Sequence, residues 1–125
     1  MYEIPDNLPD ITRELISIKK KPTTQERFQS YPALLQQFSN LLDQCSDEKV
    51  LRAVLDLDTG YFLPAGIRQH VIERLLSFKR SPDRLREYAM QLTLFGDVDE
   101  YGTADTNIDE RVEAIYQEAD QLTNL

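Results

Sequence analysis

The chain has 125 residues, 41% apolar and 29% charged, with a formal net charge of −8; this describes one globular domain able to bury a core, and excludes a disordered chain. The acidity argues against non-specific nucleic-acid binding, the lone cysteine excludes an internal disulfide framework, and no apolar run approaches the roughly 20 residues of a membrane span. Four glycines in the whole chain are too few for the tight turns of an all-β protein.

The first predicted element carries Ile4, Leu8, Ile11, Leu15 and Ile18 at 4-3-4-3 spacing, one face of a helix. Pro9 sits near its start, and Lys19-Lys20-Lys21-Pro22 ends it, cations at the negative end of the dipole followed by a helix-breaking proline. Thr23-Thr24-Gln25-Glu26 is a capping box. The apolar positions Phe28, Tyr31, Leu34, Leu35, Phe38, Leu41, Leu42 and Cys45 follow, with Pro32 splitting them into a short helix and a second one capped at Ser30 or Tyr31. Cys45 extends this stripe, so a buried, inert thiol is expected there.

Ser46-Asp47 caps the next predicted helix, striped by Val50, Leu51, Val54, Leu55 and Leu57 and stopped by Asp58-Thr59-Gly60. The alternation from Leu55 to Leu63 also permits a local hairpin, though the helical spacing runs into it from the left. Residues 60–66 form a linker. Ile67, Val71, Leu75 and Phe78 mark a further helix, with Ile72 and Leu76 beside them. Ser81-Pro82 opens another one, with Leu85, Tyr88, Ala89, Leu92 and Phe95 on its stripe and Gly96 as its stop. After an acidic loop, Ile108, Val112, Ile115, Ala119 and Leu122 repeat the 4-3-4-3 pattern. The expected fold is therefore all-α: a single-domain helical bundle or stacked helical hairpins of about five or six helices. The stripes at the two ends would serve a homodimer seam as well as an internal core.

The charge is uneven. Residues 49–86 carry 8 basic and 4 acidic side chains, whereas residues 87–125 carry 1 basic and 10 acidic. Arg68, Arg74, Lys79, Arg80, Arg84 and Arg86 form a basic corner between two helices. With no glycine-rich phosphate loop beside it, it reads as a solvated face or a docking surface for the protein's own acids rather than an anion site.

The loop from Asp97 to Asp109 concentrates oxygen donors and resembles part of an EF-hand calcium loop. Asp97, Asp99, Gly102, Thr103 and Asp105 stand at its positions 1, 3, 6, 7 and 9. Tyr101 replaces the ligand at position 5, and Ile108 replaces the bidentate glutamate at position 12. The expected role is an acidic loop whose Thr106 or Asn107 caps the last helix, with a weak calcium site at Asp97, Asp99, Thr103 and Asp105 as the alternative. Asp58-Thr59-Gly60 matches the triplet of the aspartic proteases, but those enzymes are built from strands, and here helical stripes lie on both sides. His70 has no spaced partner for a metal and falls on a polar face.

Tyr61-Phe62-Leu63 places three large apolar residues between glycines. They either fold over the core or anchor a protein partner, because aromatics dominate interface hot spots. No nucleophile–base pair or cofactor motif is found. The sequence therefore points to a cytoplasmic, non-enzymatic protein-interaction or regulatory module with an unknown protein partner and no cofactor. Its expected surface combines Tyr61, Phe62 and the acidic last helix.

Overall fold

The computed structural model describes residues 3–20, 25–98, 104, 105 and 108–124, with backbone only at 97, 98, 104 and 105. The fold is all-α, with seven helices among the described residues. Its contacts divide it into two compact units, 1–64 and 65–125.

The first unit contains α1 (Leu8–Lys20), α2 (Gln25–Gln29), α3 (Tyr31–Gln44) and α4 (Glu48–Leu57). Helix α1 packs on both α3 and α4. Its stripe Leu8, Ile11, Leu15 and Ile18 is buried, as the spacing requires. Ile4 does not join it, and stands 41% exposed ahead of the helix. The reason is local: Pro5 disfavours helix at Ile4, and Asn7 supplies a cap by accepting the Asp10 N–H at 2.9 Å. Leu34, Phe38 and Leu42 of α3 and Leu51, Val54 and Leu55 of α4 complete the buried set.

Helix α2 is a single short turn of five residues that buries nothing, so Phe28 lies 66% exposed rather than on the predicted stripe. Ser30 takes the N-cap position of α3, yet its hydroxyl turns back to donate to the Glu26 carbonyl at 2.9 Å. Pro32 lies in the first turn of α3, where its missing N–H costs nothing. Asp47 caps α4 by accepting the Lys49 N–H at 2.9 Å. Cys45 is half-buried rather than buried. It lies one residue past the end of α3 in extended backbone, which turns it off the stripe, and its Sγ reaches the Asp47 carbonyl at 3.5 Å. The Thr23 capping box and the Lys21-Pro22 stop lie outside the described residues.

The second unit contains α5 (Ala65–Phe78), α6 (Pro82–Phe95), the two-residue strands β1 (Asp97–Val98) and β2 (Ala104–Asp105), and α7 (Asp109–Thr123). Helix α6 packs on both α5 and α7. Ser81 caps α6 by accepting the Arg84 N–H at 3.3 Å. At the other end Gly96 adopts φ 75°, a left-handed conformation that glycine enters without steric cost, and its N–H closes on the Leu92 carbonyl at 2.8 Å. Leu76, Leu85 and Ala119 form a buried cluster of this unit, with Tyr88, Ile115 and Leu122 packed against it, and Val71, Ile72, Leu75, Ala89 and Leu92 are buried as well.

Helix α7 begins at Asp109, with Ile108 as its N-cap and no side-chain cap hydrogen bond. The expected caps, Thr106 and Asn107, lie outside the described residues; Ile108 at the N-cap position is 9% exposed and turned inward. Asp109 and Glu110 fill the first turn, where acids favour the positive end of the dipole. No helix among the described residues is long and apolar enough to cross a membrane.

Candidate functional site

Two places gather the predicted surface residues: the turn after α4 and the outer face of α7.

At the turn, Asp58 ends α4 and is fully buried. No strand follows; the hairpin alternative gives way to a side-chain-held turn. The Asp58 backbone carbonyl accepts the Tyr61 N–H at 3.3 Å, and its Oδ1 accepts the N–H groups of Phe62 at 2.7 Å and Leu63 at 3.2 Å. This satisfies the buried carboxylate with main-chain donors, which a buried acid requires. Gly60 is needed here because a Cβ at that position would overlap the Phe62 ring.

The three apolar residues of the turn separate. Leu63 is buried at 4% exposure, Phe62 is half-buried, and Tyr61 is 49% exposed. Tyr61 also adopts φ 56°, a conformation that costs an L-residue with a Cβ roughly 1–2 kcal/mol. Tyr61→Gly is therefore expected to be about 1 kcal/mol more stable than Tyr61→Ala in urea unfolding. Equal stability of the two variants would mean that the left-handed turn is not populated.

On the other unit, the basic corner is largely spoken for. Arg80 donates two hydrogen bonds to Glu118 of α7, at 2.9 and 2.8 Å. Arg86 reaches Asp120 at 3.5 Å and Thr123 at 3.0 Å. Arg84 donates to the Leu75 carbonyl at 2.8 Å, at the C-terminal end of α5. Arg68 is buried on α5, and the Arg74 guanidinium lies 5.8 Å from the centre of the Phe78 ring. Two of these basic residues, Arg80 and Arg86, thus serve the acidic C-terminal helix of the same chain. The hydrogen bonds from Arg80 hold the Glu118 carboxyl below the usual glutamate range; burial opposes this slightly and charge attraction adds to it. A lowered folded value places this pair's contribution above the ordinary glutamate range and removes it as pH falls through the lowered value. Its size is small, because the two side chains are 56% and 38% exposed. Arg80→Ala should return Glu118 towards the ordinary glutamate value in an NMR titration of its side-chain carboxyl.

A shallow groove of about 440 Å³ runs along α7, lined by Thr93 of α6 and by Asp109, Val112, Glu113, Tyr116 and Asp120. Asp109, Glu113, Tyr116 and Asp120 are spaced 4-3-4, each one residue after a member of the apolar stripe. They form a second seam turned about 100° from the first. Among the described residues Asp109, Glu110 and Glu113 make no ion pair, whereas Glu118 and Asp120 are engaged by arginines. Tyr116 is 36% exposed. Met90, 51% exposed, lies one turn before Thr93 on α6. Sequence reasoning named the acidic helix but missed this groove; the signal was the second 4-3-4 set beside the first.

The calcium alternative rests on side chains at Asp97, Asp99, Thr103 and Asp105 that lie outside the described residues. The backbone pairs 97–98 antiparallel with 104–105, placing Asp97 opposite Asp105. Ile108, at the position of the bidentate glutamate, is an inward-facing N-cap residue. The melting temperature is accordingly expected to be the same in millimolar calcium and in chelator; a rise of several degrees with calcium would restore the metal reading.

Among the described residues no group of three His, Cys, Asp or Glu side chains could hold a metal ion. His70 is exposed. Comparison with protein families, with curated proteins and with solved structures finds no match.

Proposed function

We propose that this protein is a non-enzymatic helical interaction module that works through the outer face of α7. The observation that carries this reading is the groove beside Tyr116. An aromatic stands exposed there, next to acids to which the chain supplies no cation among its described residues, whereas it does supply arginines to Glu118 and Asp120. Exposed aromatics beside unneutralised charge are what a binding surface offers, and an isolated core does not need them. Tyr61, held outward by the Asp58 turn, is a second exposed aromatic on the other unit. Against catalysis stands the use of each candidate group: the Asp58 carboxylate is committed to main-chain donors, and Cys45 lies at a helix end beside a carbonyl.

The test is a photo-crosslinking residue placed at Tyr116, at Tyr61 and, as a control, at exposed His70, in the full chain within its source cells. Discrete adducts at Tyr116 that are absent at His70 support the reading. Equal, diffuse labelling at all three positions would overturn it.

A further inference from the structure

We propose that the α7 groove receives an amphipathic basic helix, about three turns long, from a protein partner. This rests on the interaction reading above and names the chemistry of the occupant.

The argument begins with spacing. Asp109, Glu113, Tyr116 and Asp120 repeat at 4-3-4, the spacing at which one helix presents a continuous ridge to another. From Asp109 to Asp120 the seam rises about 16 Å at 1.5 Å per residue, which sets the occupant at about three turns. The second step is charge. Three of the four seam residues are carboxylates, on a segment that carries 10 acidic and 1 basic side chains. A neutral or acidic helix laid along it would bring no counter-charge, whereas Lys or Arg at the matching positions supplies it. The same helix already accepts guanidinium groups, Arg80 on Glu118 at 2.8 Å and, on the seam itself, Arg86 on Asp120 at 3.5 Å. Asp120 remains 72% exposed and open to a second cation. The third step is the apolar component: Tyr116 interrupts the acids, and half-buried Val112 also lines the groove. The occupant therefore carries one large apolar residue among its cations.

The test uses the full-length protein and fluorescein-labelled helical peptides of 18 residues. One has Lys at positions 1, 5 and 12 with Leu at 8; the other has Lys at 1, 8 and 12 with Leu at 5, which covers both orientations. Fluorescence anisotropy is expected to show saturable binding of one of them, at least tenfold weaker at 0.5 M than at 0.1 M salt. Binding should be absent for the matching glutamate peptides. Glu113→Lys and the milder Glu113→Gln should weaken it, the first by tenfold or more, with unchanged melting temperatures because Glu113 is exposed. Tyr116→Ala should weaken it several-fold. Equal binding of glutamate peptides, indifference to both Glu113 variants, or a self-association in sedimentation that Glu113→Lys abolishes would overturn the proposal. If neither peptide binds while Tyr116 crosslinks still capture a partner, the basic-helix inference falls and the interaction module stands.

Discussion

Phe38→Ala lowers the stability of the first unit by about 3–5 kcal/mol, the largest loss expected of any single truncation here. Phe38 is fully buried on α3, in the buried set to which α1 contributes Leu8, Ile11, Leu15 and Ile18. Removing the ring forfeits its transfer energy, and the helices around it close the void only in part. Phe38→Leu keeps most of the volume and should cost less than half as much. Urea unfolding followed by circular dichroism measures both. A Phe38→Ala loss under about 1.5 kcal/mol would mean that the site collapses freely or that Phe38 is not enclosed as described.

Asp58→Ala should cost about 2–4 kcal/mol, since it leaves the Phe62 and Leu63 N–H groups without the acceptor that holds them in a buried turn. Asp58→Asn keeps one oxygen able to accept from Phe62 and should lose roughly half as much. The ordering separates a hydrogen-bonding role from simple volume filling, because Asn and Asp are nearly isosteric. Equal losses for the two variants would remove the turn-holding role. Crosslinking at Tyr61 offers an independent check, since the turn sets the direction in which that side chain points.

The elements that were plain in the sequence are those with a long, uninterrupted stripe and a strong signal at each end. Helix α6 is the clearest: Ser81-Pro82 opens it, Gly96 closes it, and Leu85, Ala89 and Leu92 are buried between. The stripe of α7 was equally legible, down to Ala119. Misreadings fell where a neighbour in the chain overrode the period. Ile4 and Phe28 have the right spacing, but Pro5 with Asn7, and the shortness of α2, take them out of the helices that would have buried them. Cys45 has the right phase and lies one residue too late. Asp58-Thr59-Gly60 signals a helix stop, and Asp58 does end α4; its grip on Phe62 and Leu63 depends on a carboxylate reaching four and five residues ahead, and no periodicity encodes that. The groove was hidden for a different reason. Pattern reading looks for apolar positions, and this seam is mostly acid.

The anchoring of α7 also has a consequence for the order in which the second unit comes apart. Its one fully buried residue is Ala119, the smallest apolar side chain available, while α6 commits Leu85, Ala89 and Leu92. The remaining contacts of α7 are half-buried side chains and exposed ion pairs, each individually weak. They are also numerous: α6 and α7 pack on each other more extensively than α5 and α6 do, so α7 is expected to stay with α6 when the second unit opens. The proposed recognition surface would then be carried by a helix pair that opens together.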